Sequence, residues 1–232
     1  MADDDDPVEL SAHALNALHE FYREQALMQN ESSGKDEIDE DWELSQFWYD
    51  GDTSSRLARE CLELISHLDT PRIACISCPT LYKTLRELIS PSAEKDGSQN
   101  VDLVLFEYDN RFERYGQDFV SYDYRQPLDD LWQYATRKDL QKSFDVVVAD
   151  PPFLSEECAT KVSEFVRALL KPEGKIIFCT GAVAENFVLA GLSKEGIRVC
   201  DTFEPRHKSK LGNEFRCYVN YDGAFPVLEA RL

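Results

Sequence analysis

Residues 144–153 read Phe144-Asp145-Val146-Val147-Val148-Ala149-Asp150-Pro151-Pro152-Phe153. The first six form an apolar run of the length of a buried strand, and two prolines then end it. Each proline fixes its own φ and holds the residue before it extended, so Asp150 and Pro151 have little backbone freedom. The Asp150 carboxylate and the Pro151 carbonyl are then acceptors held beside the ring of Phe153. Such a pocket suits a nitrogen that donates hydrogen bonds and presents a polarised or cationic atom to an aromatic face.

The same four residues also fit a simpler interpretation, in which a strand ends in a tight Pro-Pro turn with Phe153 as an anchor. Their position directly after a strand favours the functional interpretation. We therefore take Asp150, Pro151, Pro152 and Phe153 as the candidate catalytic residues.

Outward from this strand, apolar runs alternate with helical patterns. The predicted strands are 72–76, 101–106, 119–122, 144–149 and 175–179, and the predicted helices are 53–67, 79–89, 155–170 and 182–191. Near-continuous apolar runs separated by helices predict a parallel sheet covered on both faces, a doubly wound, Rossmann-like α/β domain. A polar loop, rather than a helix, joins the last two strands, 196–203 and 215–221. This terminal antiparallel hairpin is the order found in nucleoside-dependent methyltransferases.

Charge divides the 232 residues into two parts. Residues 1–41 hold 13 acidic and 2 basic side chains, a net charge of −11, whereas residues 42–232 carry −8. Within this acidic tail, Ser11 can cap an amphipathic helix over residues 11–29, and residues 30–41 are typical of a solvated linker. The sequence therefore predicts one catalytic domain, 42–232, preceded by an acidic tail, 1–41.

The net charge of −19 opposes unaided binding to nucleic acid, because that affinity comes mainly from Lys and Arg. A basic protein partner fits better, although solubility alone explains the tail equally well. No apolar stretch approaches the length of a membrane span, and no secretory signal precedes the domain. We expect a soluble, cytoplasmic protein and a monomer.

The seven cysteines are scattered through predicted strands and helices, as expected of buried thiols in a reducing compartment. Cys75-x-x-Cys78 resembles half a zinc site, but no second pair at ligand spacing accompanies it. The four histidines have no partner at metal or nucleophile spacing. We therefore predict no metal.

Polar residues follow four strands at the edge of the sheet where ligands bind in such folds. Ser77, Cys78 and Pro79 follow the first strand, where Pro79 fits the start of a helix whose free N–H groups can receive a carboxylate. No glycine is present in this turn. Glu107 and Asp109 follow the second strand and suit the two hydroxyls of a ribose. The third strand is followed by Asp123, at a place suited to an adenine amino group. Together with the four-residue motif, these residues predict a nucleoside site beside a nitrogen pocket.

Two further segments are candidates for ligand contacts. Gln46-Phe47-Trp48-Tyr49 precedes the first strand and can fold over a cofactor and a substrate, or equally brace the core. We assign Trp48 to the cofactor and Tyr49 to the substrate. A basic run begins at Arg206, in the loop of the terminal hairpin, where it can contact a substrate or simply be solvated.

The chain resembles the eukaryotic protein lysine methyltransferases that act on translation elongation factor 1-alpha, once called N6-adenine-specific DNA methyltransferase-like proteins. The segments that carry the resemblance are 10–15, 44–49, 106–109, 150–158 and 213–221, and it covers nearly the whole chain. It implies a class I fold that depends on S-adenosylmethionine, with translation elongation factor 1-alpha as the protein substrate. Asn213, which opens the last of these segments, is a further candidate for substrate contact.

Such a reaction needs a neutral lysine amine. With an unperturbed pKa near 10.4, deprotonation near neutral pH costs about 4 kcal/mol. An apolar pocket reduces this cost, whereas an ionised Asp150 opposes it. We assign Asp150 mainly to positioning, with proton removal as the alternative. Two other functions fit the sequence: N6 methylation of adenine in DNA or RNA, and a non-catalytic scaffold that binds the cofactor.

Overall fold

The computed structural model describes residues 38, 40–41, 46–89, 100–126, 128, 138–209 and 211–226. The chain divides into two units, Met1–Asp39 and Glu40–Leu232, and all described residues except Ile38 belong to the second. The predicted helix at 11–29 and most of the predicted linker lie outside the described residues. Glu40 and Asp41, which composition assigns to the tail, belong to the second unit and are hydrogen-bonded to it.

The described strands form one seven-stranded sheet with the order β3-β2-β1-β4-β5-β7-β6. They are β1 (Arg72–Ile76), β2 (Asp102–Glu107), β3 (Phe119–Ser121), β4 (Phe144–Ala149), β5 (Leu170–Gly181), β6 (Arg198–Val199) and β7 (Phe215–Val219). The first five are parallel, and β7 runs antiparallel to both of its neighbours. This confirms the predicted doubly wound sheet with a terminal antiparallel hairpin.

The predicted bounds of β1 and β4 are confirmed, whereas the hairpin strand β6 is much shorter than predicted. Residues 196–203 were expected to form a strand, but only Arg198 and Val199 pair with β7. The left-handed φ of Gly196 begins this segment with a turn, and the Cys200 N–H donates to the Cys217 carbonyl just beyond the pairing. Strand β5 is longer than predicted, because it begins directly where the preceding helix ends.

Four α-helices cover the described part of the sheet: α1 (Gly51–Ile65), α2 (Pro79–Ile89), α3 (Glu156–Leu169) and α4 (Glu185–Gly191). Asp50 caps α1 by accepting the Thr53 N–H at 2.7 Å, and Ser155 caps α3 by accepting the Cys158 N–H at 3.3 Å. The helix predicted for 182–191 starts as one 3₁₀ turn, Ala182–Ala184, before α4. The two capped helices fix the segments that precede them, and both segments lead into the site described below.

The core lies between the sheet and the helices, as the apolar strands require. Phe106 of β2 contacts Phe144 of β4 and Phe165 of α3 with centroid separations of 5.9 and 5.1 Å, and Tyr122 stacks on Phe165 at 4.2 Å. All four rings are at most 5% exposed, and burial of each contributes roughly 1.5–3 kcal/mol. This aromatic cluster holds the ends of β2 and β3 against α3.

All seven cysteines lie among the described residues, buried and without disulfides. Cys75 and Cys78 are at most 2% exposed, so the prediction that they pack in the core is confirmed. In the described part of the chain, no helix is long and apolar enough to cross a membrane.

Candidate active site

The carboxyl ends of the parallel strands open into a cleft of about 450 Å³. Its wall contains most of the residues that the sequence singles out: Trp48, Tyr49, Ser77, Cys78, Pro79, Glu107, Asp123, Asp150, Pro151, Pro152, Phe153 and Asn213. Asp109 and Arg206 are not part of this wall. The residues predicted for the nucleoside and those predicted for the nitrogen therefore line one cleft, with the exception of Asp109.

The four-residue motif follows β4 at the centre of the sheet. The Asp150 N–H donates to the Ile76 carbonyl of β1 at 3.0 Å, which fixes the backbone where the carboxyl group enters the cleft. Phe153 is 44% exposed, and its ring lies 5.9 Å from that of Tyr124. An exposed aromatic ring at the end of a buried strand is available to a ligand.

The Asp150 carboxyl has an unusual acidity for its type. Burial raises its pKa to about 8, and the nearby Glu107 charge raises it too, against an opposing effect of the Tyr49 hydroxyl. In the protein without ligand, the carboxyl group is therefore largely protonated near neutral pH. A cation in the cleft would favour the ionised form.

Glu107 ends β2 on the other side of β1. It is 5% exposed, and its Oε1 accepts the N–H groups of Tyr108 at 2.9 Å and of Asp109 at 3.3 Å. Burial raises its pKa to about 7, although these two hydrogen bonds lower it. Both backbone N–H groups bind Oε1, and the Gln46 side chain is a further neighbour that lowers the pKa, so Oε2 is the carboxylate oxygen on which a ligand hydroxyl can bind.

Asp109, the other predicted ribose residue, serves a different contact. Its carboxylate accepts from Gln46 Nε2 at 3.0 Å and from Arg111 Nε at 2.8 Å. Burial raises the pKa of Asp109, but these hydrogen bonds and the Arg111 charge hold it below the usual value. Because Gln46 lies in the cleft wall, Asp109 contributes to the cleft by holding the Gln46 side chain in place.

In the turn between β1 and α2, a serine adopts the backbone conformation for which glycine is usually needed. Ser77 has a φ of +53°, in the left-handed region that usually favours glycine, and its N–H donates to the Phe106 carbonyl at 2.9 Å. Pro79 is the first residue of α2, as predicted. Serine thus occupies a strained position at the edge of the cleft, with Cys78 and Thr80 beside it in the wall.

Residues 46–50, which we call the strap, border the cleft beside the loop of the terminal hairpin. The Lys208 N–H donates to the Trp48 carbonyl at 2.8 Å, and the Asp50 N–H donates to the Arg206 carbonyl at 3.0 Å. Between these bonds, Tyr49 and His207 form an antiparallel bridge. The strap therefore does not only brace the core, because four of its residues, 46–49, also line the cleft.

The Glu40 carboxylate binds both the strap and the loop of the terminal hairpin. Its Oε1 accepts the Trp48 N–H at 2.7 Å, and its Oε2 accepts the Ser209 hydroxyl at 2.9 Å. The exposed Arg206 side chain is not part of the cleft wall. The backbone N–H of Arg206 donates to Thr53 Oγ1 at 3.0 Å. The position of Arg206 thus favours the solvated alternative for its side chain.

Four polar atoms in the cleft wall are buried and have no hydrogen-bond partner among the described residues. They are Trp48 Nε1, Tyr49 Oη, Thr80 Oγ1 and Tyr122 Oη. Buried polar groups are normally paired, because leaving one unpaired costs about 1–3 kcal/mol. Their concentration around one space indicates a wall built for a polar ligand.

Asp123 lies in the wall after β3, paired with Arg125 at 2.8 Å. The Arg125 hydrogen bonds keep the pKa of Asp123 low, so this carboxylate is ionised. Arg125 is the one Lys or Arg in the described wall of the cleft. A space with a single, already paired cation is poorly suited to a polyphosphate backbone.

Sequence reasoning missed Thr80, Tyr122 and His207 as wall residues. Tyr122 ended a predicted strand next to Asp123, which was the available signal. His207 carried no local signal, because its contact with Tyr49 joins positions far apart in the chain. Burial lowers the pKa of His207 to about 4, so its ring is neutral at physiological pH.

Comparison with known proteins identifies the family of the chain. Residues 40–223 match the family described as probable N6-adenine methyltransferase. The human protein named EEF1A lysine methyltransferase 1 is 46% identical over 226 residues, covering 95% of this chain and 95% of the relative. The Caenorhabditis elegans protein-lysine N-methyltransferase M142.8 is 39% identical, covering 95% and 97%. Among solved structures, a TehB-like SAM-dependent methyltransferase from Corynebacterium glutamicum has a TM-score of 0.47 and 16% identity, covering 88% of this chain and 97% of that one. The chain belongs to the family described as probable N6-adenine methyltransferases, and to the same family as EEF1A lysine methyltransferase 1.

Proposed function

We propose that this protein is a class I, S-adenosylmethionine-dependent protein-lysine N-methyltransferase whose substrate is translation elongation factor 1-alpha. One observation carries the proposal: the motif from Asp150 to Phe153 lies in the same cleft as Glu107 and a set of buried, unpartnered polar groups. The names of the relatives, which are EEF1A lysine methyltransferases and protein-lysine N-methyltransferases, support the choice of substrate.

The wall of the cleft fits the cofactor. Glu107 has a carboxylate oxygen for the ribose hydroxyls, Asp123 offers an acceptor for an adenine amino group, and the turn of Ser77, Cys78 and Pro79 presents the start of α2 to a carboxylate. When bound, S-adenosylmethionine supplies a methyl group from its sulfonium. Trp48 Nε1, unpartnered in the strap, is a donor that can complete the enclosure.

The residues of the motif receive the acceptor amine. The Asp150 carboxylate and the Pro151 carbonyl accept its N–H groups, and the Phe153 ring lies against its carbon chain or its charge. Holding the nitrogen in line with the transferred group supplies most of the rate, because proximity replaces an encounter in solution. Burial around Asp150 favours the neutral amine over the ammonium ion.

A lysine fits this cleft better than a base in a nucleic acid. The described wall has one cation, Arg125, which is paired with Asp123, and the chain carries a net charge of −19. Adenine methylation, the activity in the description of the family, needs a basic path for the phosphates. It is the second candidate, because Asp-Pro-Pro-Phe also suits an exocyclic amine.

The test incubates the protein with methyl-labelled S-adenosylmethionine and, separately, with purified translation elongation factor 1-alpha, total RNA and DNA. We expect label on the elongation factor that survives nuclease, is released by protease and is found on lysine by mass spectrometry. Label on adenine alone would show that the substrate is a nucleic acid and not the elongation factor. S-adenosylmethionine binding without any transfer would favour the scaffold.

We further propose that the protein acts in the cytoplasm as a monomer. Seven buried, unpaired thiols suit a reducing compartment, which is the support for the location. Fractionation of cells and light scattering of the purified protein test these two points.

A further inference from the structure

The Tyr49 hydroxyl is a buried polar group of the cleft that the proposed chemistry has not yet used. The side chain is 1% exposed, and its hydroxyl makes no hydrogen bond of regular geometry with the described residues. An unpaired buried hydroxyl costs stability, so its retention points to a partner that arrives with a ligand.

This hydroxyl is a neighbour of the Asp150 carboxyl. After burial, the Asp150 charge is the next cause that raises the pKa of Tyr49, and the Tyr49 hydroxyl in turn lowers the pKa of Asp150. Both residues line the same cleft, and the hydroxyl lies close enough to the carboxyl for a hydrogen bond to act on both pKa values, although the geometry of that bond is not regular. An amine in the cleft can therefore meet a hydroxyl that is already directed at the carboxyl.

The strap and the hairpin loop fix the position of Tyr49. Its backbone pairs with His207, its ring lies 5.4 Å from the His207 ring, and the His207 ring lies 4.3 Å from that of Phe215. The hydroxyl is thus held in place by packing. A group that is preorganised in this way needs no rearrangement when the substrate arrives.

We propose that Tyr49 is a catalytic residue that relays a proton from the substrate ammonium group to Asp150. This inference rests on the proposed function. An N–H bond of the ammonium breaks as an O–H bond forms on Tyr49 Oη, while the original Tyr49 O–H bond breaks and its proton bonds to the Asp150 carboxylate. Tyr49 is neutral before and after, one proton has moved, and the amine lone pair is free.

A phenol suits this role because its oxygen is both a donor and an acceptor. Burial raises the pKa of Tyr49 well above its usual value, so the hydroxyl stays protonated at every pH at which the enzyme would work. The pKa of Asp150, about 8, lies closer to that of lysine than an ordinary carboxyl would. The relay thus joins a fixed hydroxyl to a carboxyl of suitable basicity.

The test compares Tyr49→Phe with the unmodified full chain. We expect kcat on the elongation factor at pH 7.5 to fall about 100-fold, as for loss of a general base. The affinity for S-adenosylhomocysteine should change less than threefold, and Tm should change little, because the removed hydroxyl makes no hydrogen bond of regular geometry with the described residues. Tyr82→Phe is the matched control: Tyr82 is equally buried, outside the cleft wall, and its hydroxyl donates to Asp118 at 3.1 Å. It should keep kcat and lose Tm.

The pH profile separates a relay from a structural role. As pH approaches the lysine pKa, near 10.4, solvent removes the proton unaided and the deficit of Tyr49→Phe should shrink. Adding Asp150→Asn to Tyr49→Phe should cost little beyond Asp150→Asn alone, because both act on one proton.

An active wild type with unchanged kcat in Tyr49→Phe would overturn the relay and leave the proposed function intact. A deficit that stays constant up to pH 10, or loss of both Tm and cofactor-product affinity, would also overturn it. A wild type that methylates no lysine of the elongation factor would instead defeat the proposed function.

Discussion

At the scale of single residues, the proposed function places Asp150 beside the acceptor nitrogen rather than beside the nucleoside. We expect Asp150→Ala to abolish methyl transfer while leaving the affinity for S-adenosylhomocysteine within tenfold, about 1.4 kcal/mol. Calorimetry measures the affinity, and transfer of labelled methyl groups measures turnover. A variant that keeps full turnover would remove Asp150 from the nitrogen pocket.

For Glu107 we expect the main effect of substitution on cofactor affinity. Glu107→Ala should weaken S-adenosylhomocysteine binding about 10- to 100-fold, because hydrogen bonds to a charged group contribute roughly 1.5–3 kcal/mol. Circular dichroism should show an unchanged fold. Unchanged affinity would move the ribose contact elsewhere, and Asp109, which reaches the cleft wall through Gln46, would be the next candidate.

The raised pKa of Asp150 also predicts a dependence of stability on pH. In the unfolded chain the carboxyl ionises near pH 3.9, and in the folded, ligand-free protein near pH 8, so the folded state binds more protons between these values. Stability from this group is therefore lost as pH rises from about 4 to 8. Asp150→Asn removes this loss, which amounts to about 1.4 kcal/mol for each pH unit between 4 and 8. The substitution should therefore stabilise the ligand-free protein by on the order of 5 kcal/mol at pH 9 and by almost nothing at pH 4.

Urea unfolding at both pH values tests this expectation. Asp69→Asn, at an exposed turn, is the matched control and should leave the pH dependence unchanged. A stabilisation by Asp150→Asn that is equal at pH 4 and pH 9 would contradict the assigned cause.

These residues also show what the sequence could predict. Asp150 is held by prolines next to it in the chain, so its neighbours in sequence determine its pocket. Glu107 follows an apolar strand, and parallel strands end at one edge of a sheet. The contacts of Tyr49 with Asp150 and His207 join three distant segments, and no local pattern carries that information.

At the scale of elements, the strands were predictable where burial on both faces makes the whole run apolar, as in β1 and β4. Strand β6 was not, because it lies at the edge of the sheet and only two of its residues pair. The strap was ambiguous for a related reason. Its aromatic residues indicate burial, but whether they face a core or a cleft depends on the hairpin loop that pairs with them.

The strap gives a prediction of its own. Glu40→Ala removes the acceptor of the Trp48 N–H and of the Ser209 hydroxyl, so the strap and the hairpin loop lose a common anchor. We expect S-adenosylhomocysteine to bind about tenfold more weakly, since bonds to a charged group contribute roughly 1.5–3 kcal/mol and the backbone pairing remains.

Calorimetry measures this affinity, with Glu87→Ala on the exposed face of α2 as the control for loss of a glutamate. Equal affinities for Glu40→Ala and the wild type would show that the strap holds its position without Glu40.

At the scale of the whole molecule, the net charge of −19 is concentrated at one end. Residues 1–41 carry −11. Two of these acidic residues, Glu40 and Asp41, are hydrogen-bonded to the strap. We expect the other acidic residues of the tail to attract a basic surface of the protein substrate. Such attraction would raise the rate at which enzyme and substrate meet without adding to the chemistry.

Truncation at two salt concentrations separates charge from packing. At 0.15 M ionic strength the Debye length is about 8 Å, so a purely electrostatic contribution fades steeply as salt rises, whereas an apolar contact persists. Residues 11–29 carry an apolar stripe in the sequence, whereas residues 1–9 and 30–37 offer mainly charge. We therefore expect deletion of 11–29 to raise KM for the elongation factor more than deletion of 1–9 or 30–37, and to do so at high salt as well. S-adenosylhomocysteine affinity controls for folding of the catalytic unit. Equal KM for all three truncations and the full chain at both salt concentrations would leave the tail with solubility as its role.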